Sequence, residues 1–151
     1  MSHPGSPVLE PPAVRLFDGP GSFSFANPNA IRSPSAFITR PAGRLDVSTR
    51  LAAVIGRDGA IGGWTGLADW RAPELEHPKD HDFALMLGPI VDTELTDDFD
   101  WEAARALAEL NTRLRPGDLL GGPVIELREN VESGPLELTI DGVGTLIANV
   151  S

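Results

Sequence analysis

Short apolar runs separated by turn residues dominate the chain after residue 22. Residues 51–56, which read LAAVIG, form a continuous apolar run that is typical of a strand covered on both faces. The Asp-Gly turn within residues 57–59 favours a hairpin, with residues 60–65 as the return strand. Four more segments have the length and composition of short strands: residues 35–39, 86–92, 136–140 and 145–150.

A single helix is predicted at residues 101–114. Its apolar side chains recur at helical spacing, and they are Trp101, Ala104, Leu107, Ala108 and Leu114. Either Asp98 or Asp100 can accept hydrogen bonds from the free amides of the first turn, and the Pro-Gly pair at residues 116–117 ends the helix. One helix among many short strands indicates a β-rich α+β fold.

The first 22 residues differ in composition from the rest of the chain. Five of the 14 prolines fall within the first 20 residues, and proline removes a backbone donor and fixes φ. We therefore expect a flexible, Pro/Gly-rich leader over residues 1–22, followed by one domain over residues 23–151. In the alternative, Val14, Leu16 and Phe17 dock this segment onto a partner subunit.

Charge and missing residue types exclude several classes of function. The chain has 151 residues, with 12 Lys and Arg against 22 Asp and Glu, which gives a net charge of −10. This acidity disfavours binding to nucleic acid or to an anionic membrane surface. The absence of cysteine excludes disulfides, thiolate nucleophiles and cysteine-bound metals. Neither a secretory signal nor an apolar run of about 18 residues is present, so we expect a cytoplasmic protein.

Two local clusters allow both a functional and an ordinary interpretation. The glycines at residues 56, 59, 62 and 63 do not have the dinucleotide-binding spacing, and hairpin turns account for them. Residues 77–82, which read HPKDHD, place two imidazoles and two carboxylates within six residues and could bind a metal. The same segment is more typical of a solvated loop, because its proline prevents a regular face.

Five segments, in the same order along the chain, resemble elements of the fumarylacetoacetate hydrolase family. They are LDVSTRLAAVIG at residues 45–56, GWTGLADWRAPELE at 63–76, KDHDFALMLGP at 79–89, RLRPGDLLGGP at 113–123 and GPLELTIDGVGTLIANV at 134–150. The resemblance implies a mixed β-roll with one main helix, usually assembled as a homodimer. It also implies a divalent metal, held by two glutamates and an aspartate, that stabilises an enolate of the substrate.

The sequence departs from the family pattern at the expected metal ligands. The two glutamate positions are occupied by Ser48 and Arg50, and only Asp69 matches the ligand set. A hard cation needs anionic oxygen ligands, which a guanidinium replaces with a positive charge. Lys79 matches the family lysine that contacts a substrate oxygen. We therefore expect a shortened relative that has lost its metal site and needs no cofactor.

The first functional hypothesis is a metal-independent enzyme of the cyclase, isomerase or lyase type. Asp69 would act as a base or hydrogen-bond acceptor, Lys79 would polarise a carbonyl, and Arg50 would supply the positive charge of the lost metal. The substrate would be a hydrophobic, carbonyl-bearing molecule, with a polyketide-like compound of specialised metabolism as the example. The residues expected to line its pocket are Trp64, Trp70, Met86 and Ser48.

Two alternatives remain open at this point. The chain could be a non-catalytic protein that binds a ligand or a partner subunit, with Arg50, Asp69 and Lys79 forming a structural ion cluster. It could also be a metal-dependent hydrolase or decarboxylase that binds Mg²⁺ or Mn²⁺ through new ligands such as His77, His81 or Glu126. In each case we expect a homodimer and no nucleic-acid or membrane partner.

Overall fold

The computed structural model describes residues 11–92 and 97–151, and in them the chain forms ten strands, one α-helix and a short 3-10 helix. The strands are β1 (Val14–Gly19), β2 (Ser22–Ala26), β3 (Ile31–Arg32), β4 (Ser35–Ile38), β5 (Asp46–Ile55), β6 (Ile61–Arg71), β7 (Leu85–Leu87), β8 (Leu119–Arg128), β9 (Gly134–Ile140) and β10 (Gly144–Val150). The 3-10 helix is Pro28–Ala30, and the α-helix, α1, is Trp101–Glu109.

Seven strands form a curled mixed sheet in the order β2-β1-β8-β5-β6-β7-β3. The pairs β1–β8 and β3–β7 are parallel, and the remaining neighbours in this sheet are antiparallel. A second sheet has the order β4-β10-β9. The β-rich architecture with one main helix agrees with the predicted fold class.

The long strand β5 lies at the centre of the larger sheet and is buried on both faces, as its apolar run predicts. Ala52 and Val54 join an apolar cluster with residues of β1, β6, β7 and β8, whereas Ala53 and Ile55 pack with α1. A third cluster fills the space between the two sheets, and β5 contributes Leu51 to it. Burial on both faces is the arrangement that removes the most apolar surface of β5 from water.

Strand β1 lies within the segment that the sequence predicted to be a flexible leader. Val14 and Phe17 are fully buried, and Val14 pairs with Leu119 of β8 in the larger sheet. Residues 11–22 therefore belong to the domain, because their few apolar side chains complete its core. The other residues of the predicted leader, 1–10, lie outside the described residues.

Element boundaries also differ from the sequence predictions elsewhere in the chain. The predicted helix 101–114 ends at Glu109, where Leu110 leaves the helical conformation and Asn111 adopts a positive φ of 60°. The predicted strand 86–92 is the short β7, and β8 is not among the predicted strands. The cap at Asp100 and the hairpin of β9 and β10 are confirmed.

Candidate functional site

The side chain of Arg50 fills the position where two strands separate. Strand β1 pairs with β8 only as far as Leu16 and Gly121. Beyond this point Nη1 of Arg50 donates to the carbonyl oxygens of Phe17, at 3.0 Å, and of Gly122, at 2.9 Å. Arg50 is only 6% exposed. One guanidinium nitrogen therefore links the backbones of β1 and β8.

The other edge of the same guanidinium faces two carboxylates without a direct hydrogen bond. Nε of Arg50 lies 3.9 Å from Oδ2 of Asp69, and Nη2 lies 3.7 Å from Oδ1 of Asp18. Both separations exceed the roughly 3.2 Å of an N–H···O hydrogen bond. Nε is therefore a buried donor that the described residues leave without a partner.

Asp69 is held between Arg50 and an imidazole that the sequence analysis did not assign to catalysis. It lies on β6 directly opposite Ser48 of β5, so these two side chains share a face of the sheet. Asp69 is 4% exposed, and its Oδ1 contacts Nε2 of His81. The half-buried Ser48 completes this group, which therefore contains two of the three predicted catalytic residues.

His81 comes from the connection between β6 and β7, and the backbone of that connection is tied to neighbouring elements. Nδ2 of Asn27 donates to the carbonyl oxygen of Asp82 at 3.0 Å, and a guanidinium nitrogen of Arg32 donates to that of Phe83. The His81 side chain is 12% exposed. Its Nδ1 makes no hydrogen bond to any residue in the described ranges. A carboxylate on Nε2 leaves Nδ1 as the nitrogen that can exchange a proton with a ligand.

The predicted pocket residues Trp70 and Met86 do not accompany Asp69. Neighbouring residues of a strand point to opposite faces, so Trp70 must face away from Asp69. Trp70 and Met86 are both fully buried in the cluster between the two sheets. Trp64 is half-buried farther along β6 and packs edge-to-face on Trp101, with the ring centroids 4.9 Å apart. These three side chains are packing residues in the structure.

Lys79 is also placed away from the buried group. Its side chain is 77% exposed, and its Nζ pairs with Oδ2 of Asp82 at 2.8 Å. His77 is 82% exposed and pairs with Asp80, three residues later. The polar segment at residues 77–82 therefore has the character of a solvated loop, with His81 as the side chain that turns inward.

Comparison with known proteins connects this fold to a group of enzymes. Neither a family model nor a curated protein sequence matches the chain. Among solved structures, maleylpyruvate hydrolase from Sphingobium sp. SYK-6 has a TM-score of 0.76 at 19% identity, over 97% of this chain and 72% of that one. A probable 2-hydroxyhepta-2,4-diene-1,7-dioate isomerase from Mycobacterium abscessus has a TM-score of 0.75 at 18% identity, over 97% of this chain and 77% of the isomerase. For 2-keto-3-deoxy-D-arabinonate dehydratase the TM-score is 0.77 at 17% identity, over 94% of this chain and 73% of the dehydratase.

These neighbours are members of one family. The chain has the fumarylacetoacetate hydrolase fold. The resemblance stated from the sequence is therefore confirmed at the level of the fold. Two of the neighbours are also known as complexes, the hydrolase with manganese(II) and pyruvate and the dehydratase with magnesium and 2,5-dioxopentanoate.

The donors present in this chain do not fit the divalent ion that the fumarylacetoacetate hydrolase family implies. Oδ1 of Asp69 is taken by His81, and Oδ2 faces the guanidinium of Arg50. No group of three His, Asp or Glu side chains with metal-binding geometry occurs within residues 11–92 and 97–151. Glu126, a ligand in the metal-dependent alternative, pairs instead with Arg128 at 3.3 Å. A buried arginine where an anionic ligand is needed opposes binding of a cation.

The sequence contains no apolar run of the length expected for a membrane span. Within the part of the chain that the structure describes, no helix has the length and apolar character needed to cross a membrane.

Proposed function

We propose that this protein is a metal-independent enzyme on a fumarylacetoacetate hydrolase-type scaffold that moves a proton on a hydrophobic, carbonyl-bearing molecule. The observation that carries the proposal is the buried Asp69, held between the guanidinium of Arg50 and the imidazole of His81. Double-bond isomerisation next to a carbonyl, aldol-type cyclisation and decarboxylation of a 3-oxo acid each pass through an enol or enolate. Each can therefore use one proton-transfer group and one fixed positive charge.

His81 acts as the proton-transfer group in this proposal. Its Nε2–H donates to Asp69, which fixes the tautomer and stabilises the imidazolium that forms. Nδ1 then removes a proton from the carbon next to the substrate carbonyl and later returns it to the same or another atom. The sequence hypothesis gave the base role to Asp69. The contact with His81 makes Asp69 the orienting group instead.

Arg50 supplies the positive charge that stabilises the developing enolate oxygen. Its Nη1 is anchored by two backbone carbonyls, so the Nε and Nη2 edge has a fixed direction before the substrate binds. A preorganised donor does not need to reorient during the reaction, which is why such donors lower the barrier. Lys79, Trp70 and Met86 have no part in this mechanism.

Deuterium exchange tests the proposal without knowledge of the natural substrate. A set of 1,3-diketones and 3-oxo acids with apolar side chains is incubated in D2O with the full-length protein and EDTA. Incorporation at the carbon next to the carbonyl is followed by proton NMR. We expect exchange above the buffer rate, reduced by about 10²–10⁴-fold in His81→Asn, because this is the usual contribution of a general base. His77→Asn is the matched control, since His77 is an exposed histidine of the same loop.

Two results contradict the proposal. Exchange that EDTA abolishes and Mg²⁺ or Mn²⁺ restores would identify a metal-dependent enzyme. Exchange that is the same in the wild type and in His81→Asn would remove the imidazole from the mechanism.

A second candidate function is a non-catalytic ligand-binding or subunit-interaction protein. This function is favoured by the hydrogen bonds of Arg50. Both hydrogens of its Nη1 are donated to backbone carbonyls of β1 and β8, which is a structural role. A cleft of about 740 Å³ between α1 and the β5–β6 turn is lined by neither Arg50 nor Asp69 nor His81. In this case His81→Asn changes the stability of the protein, and no carbonyl compound of the set exchanges faster than in buffer.

A further inference from the structure

The second half of β8 carries exposed apolar side chains and is open on one side. Val124 is 42% exposed and Leu127 is 53% exposed. Strand β1 pairs with β8 only as far as Gly121. From Pro123 to Arg128, no strand of the described residues pairs with this side of β8. Exposed apolar side chains that lie together are typical of ligand-binding surfaces.

Strand pairing places Leu127 on the same face of the sheet as the candidate site. Leu127 of β8 is opposite Ser48 of β5, and Ser48 is in turn opposite Asp69 of β6. Directly opposite residues of antiparallel strands share a face. The three side chains therefore form one row across three strands. Leu127 is two strand spacings, roughly 10 Å, from Asp69 along this row.

A bulge in β8 brings Val124 to the same face. Val124 and Leu127 are three positions apart, so regular alternation would place them on opposite faces. The register of β8 against β5 shifts by one residue at Ile125, and Val124 is opposite Arg50 as a result. Bulges redirect side chains in this way beside active sites. Val124 therefore lies next to Arg50 on the face that also carries Leu127 and Ser48.

We propose that Val124 and Leu127 form the subsite for an alkyl chain of the substrate and so determine which carbonyl compounds the protein accepts. The proposal rests on the enzymatic function proposed above, and it names the side chains that recognise the apolar part of the molecule. The carbonyl oxygen lies at Arg50, and the alkyl chain lies along the exposed face of β8. Trp70 and Met86, which the sequence predicted for this role, are buried between the two sheets.

The expected gain in affinity follows from the exposure of this face. A fully buried methylene group strengthens binding about fourfold. An alkyl chain on an open face gains only part of this factor, because its outer side stays in water. Four added methylene groups should therefore strengthen binding by about 10–100-fold.

Two diketones that differ in one arm test the proposal. They are 2,4-pentanedione and 2,4-nonanedione, and the second has four more methylene groups. Calorimetric titration of the full-length protein in EDTA gives the dissociation constant of each, and deuterium exchange gives kcat/KM. In the wild type, both measurements should favour the longer diketone by about 10–100-fold.

Substitutions on β8 should reduce this ratio between the two diketones. We expect Leu127→Ser and Val124→Ser each to lower it about 3–10-fold, because each removes apolar contact with the added methylene groups. Ile147→Ser is the matched control, since Ile147 is an exposed apolar residue of the other sheet, and it should leave the ratio unchanged. Circular dichroism checks that each variant is folded, and the two β8 variants test the same subsite independently.

The subsite and the enzymatic function fail in different ways. Exchange that never exceeds the buffer rate, or that His81→Asn does not reduce, refutes the enzymatic function, whereas the dissociation constants still decide on the subsite. The subsite is refuted if the longer diketone does not bind, if both diketones bind equally, or if both β8 variants keep the wild-type ratio. A wild-type ratio in Leu127→Ser together with a change in its sedimentation would assign the exposed side chains to a contact between subunits instead.

Discussion

Replacement of Arg50 by methionine tests whether the buried guanidinium holds the sheet together. The change keeps most of the side-chain stem and removes the charged donor. Two carbonyl oxygens, of Phe17 and Gly122, lose hydrogen bonds of 3.0 and 2.9 Å. The carboxylate of Asp69, which is 4% exposed, loses the positive charge 3.9 Å from its Oδ2.

The size of the effect follows from these contacts. Each hydrogen bond from a charged donor is worth about 1.5–3 kcal/mol, and removal of one partner from a buried charged group costs about 3–5 kcal/mol in total. Asp18 adds little to this sum, because its side chain is 89% exposed and solvent screens its charge. We expect Arg50→Met to lower the free energy of unfolding by about 3–5 kcal/mol. For a chain of this size, this corresponds to a fall in Tm of roughly 6–20 °C.

Urea unfolding followed by tryptophan fluorescence measures this change, with Arg105→Met as the control. Arg105 pairs with Glu102 and Glu109, whose side chains are 73% and 50% exposed, so its loss should cost about 1 kcal/mol or less. If Arg50→Met stays within about 1 kcal/mol of the wild type, the guanidinium does not join β1 to β8 and the reasoning is refuted. The double variant with Asp69→Asn should cost less than the sum of the single changes, since the two groups interact.

Two further predictions concern packing, and both use the midpoint of urea unfolding. Phe17→Ala should cost about 3–5 kcal/mol, because this side chain is fully buried, whereas Phe37→Ala, at a position 81% exposed, should change stability by about 0.5 kcal/mol or less. Equal effects would show that β1 is not part of the core. Gly122→Ala should cost about 1–3 kcal/mol, because its new Cβ would lie 2.8 Å from Cη2 of Trp101. Gly21→Ala, with nothing within 4 Å of its Cβ, should be neutral, and a neutral Gly122→Ala would contradict the packing of α1 on β8.

The fold was largely predictable because its strongest signals are local. The apolar run of β5, the turns after β5 and β9, and the periodicity of α1 each depend on residues within one short window. Local patterns did not predict β1, because its proline-rich surroundings suggested a flexible leader. They also did not predict β8, where two glycines and a proline interrupt the apolar pattern at residues 121–123. In both strands the deciding interactions are with residues far away in sequence, as in the pairing of Val14 with Leu119.

The candidate site was only partly predictable. Asp69 and Arg50 were identified through the resemblance, and the structure brings them together with Ser48 nearby. Trp70 is a predicted pocket residue, but strand alternation places it on the opposite face of β6 from Asp69. His81 was missed as a catalytic candidate. The available signal was its position in the loop between two strands that are antiparallel neighbours, where a side chain can fold back over the end of β6.

The sequence by itself determined the strand-rich composition, the main hairpins and the presence of Ser48 and Arg50 at the two positions where the family resemblance implies glutamates. These are properties of residue type and of short-range periodicity, which do not depend on how the elements assemble. Only the tertiary structure decided that Arg50 spans the split between β1 and β8, that His81 contacts Asp69, and that one edge of β8 is open. These features depend on strand register and on the path of a loop. Both are set by contacts between segments that are distant along the chain.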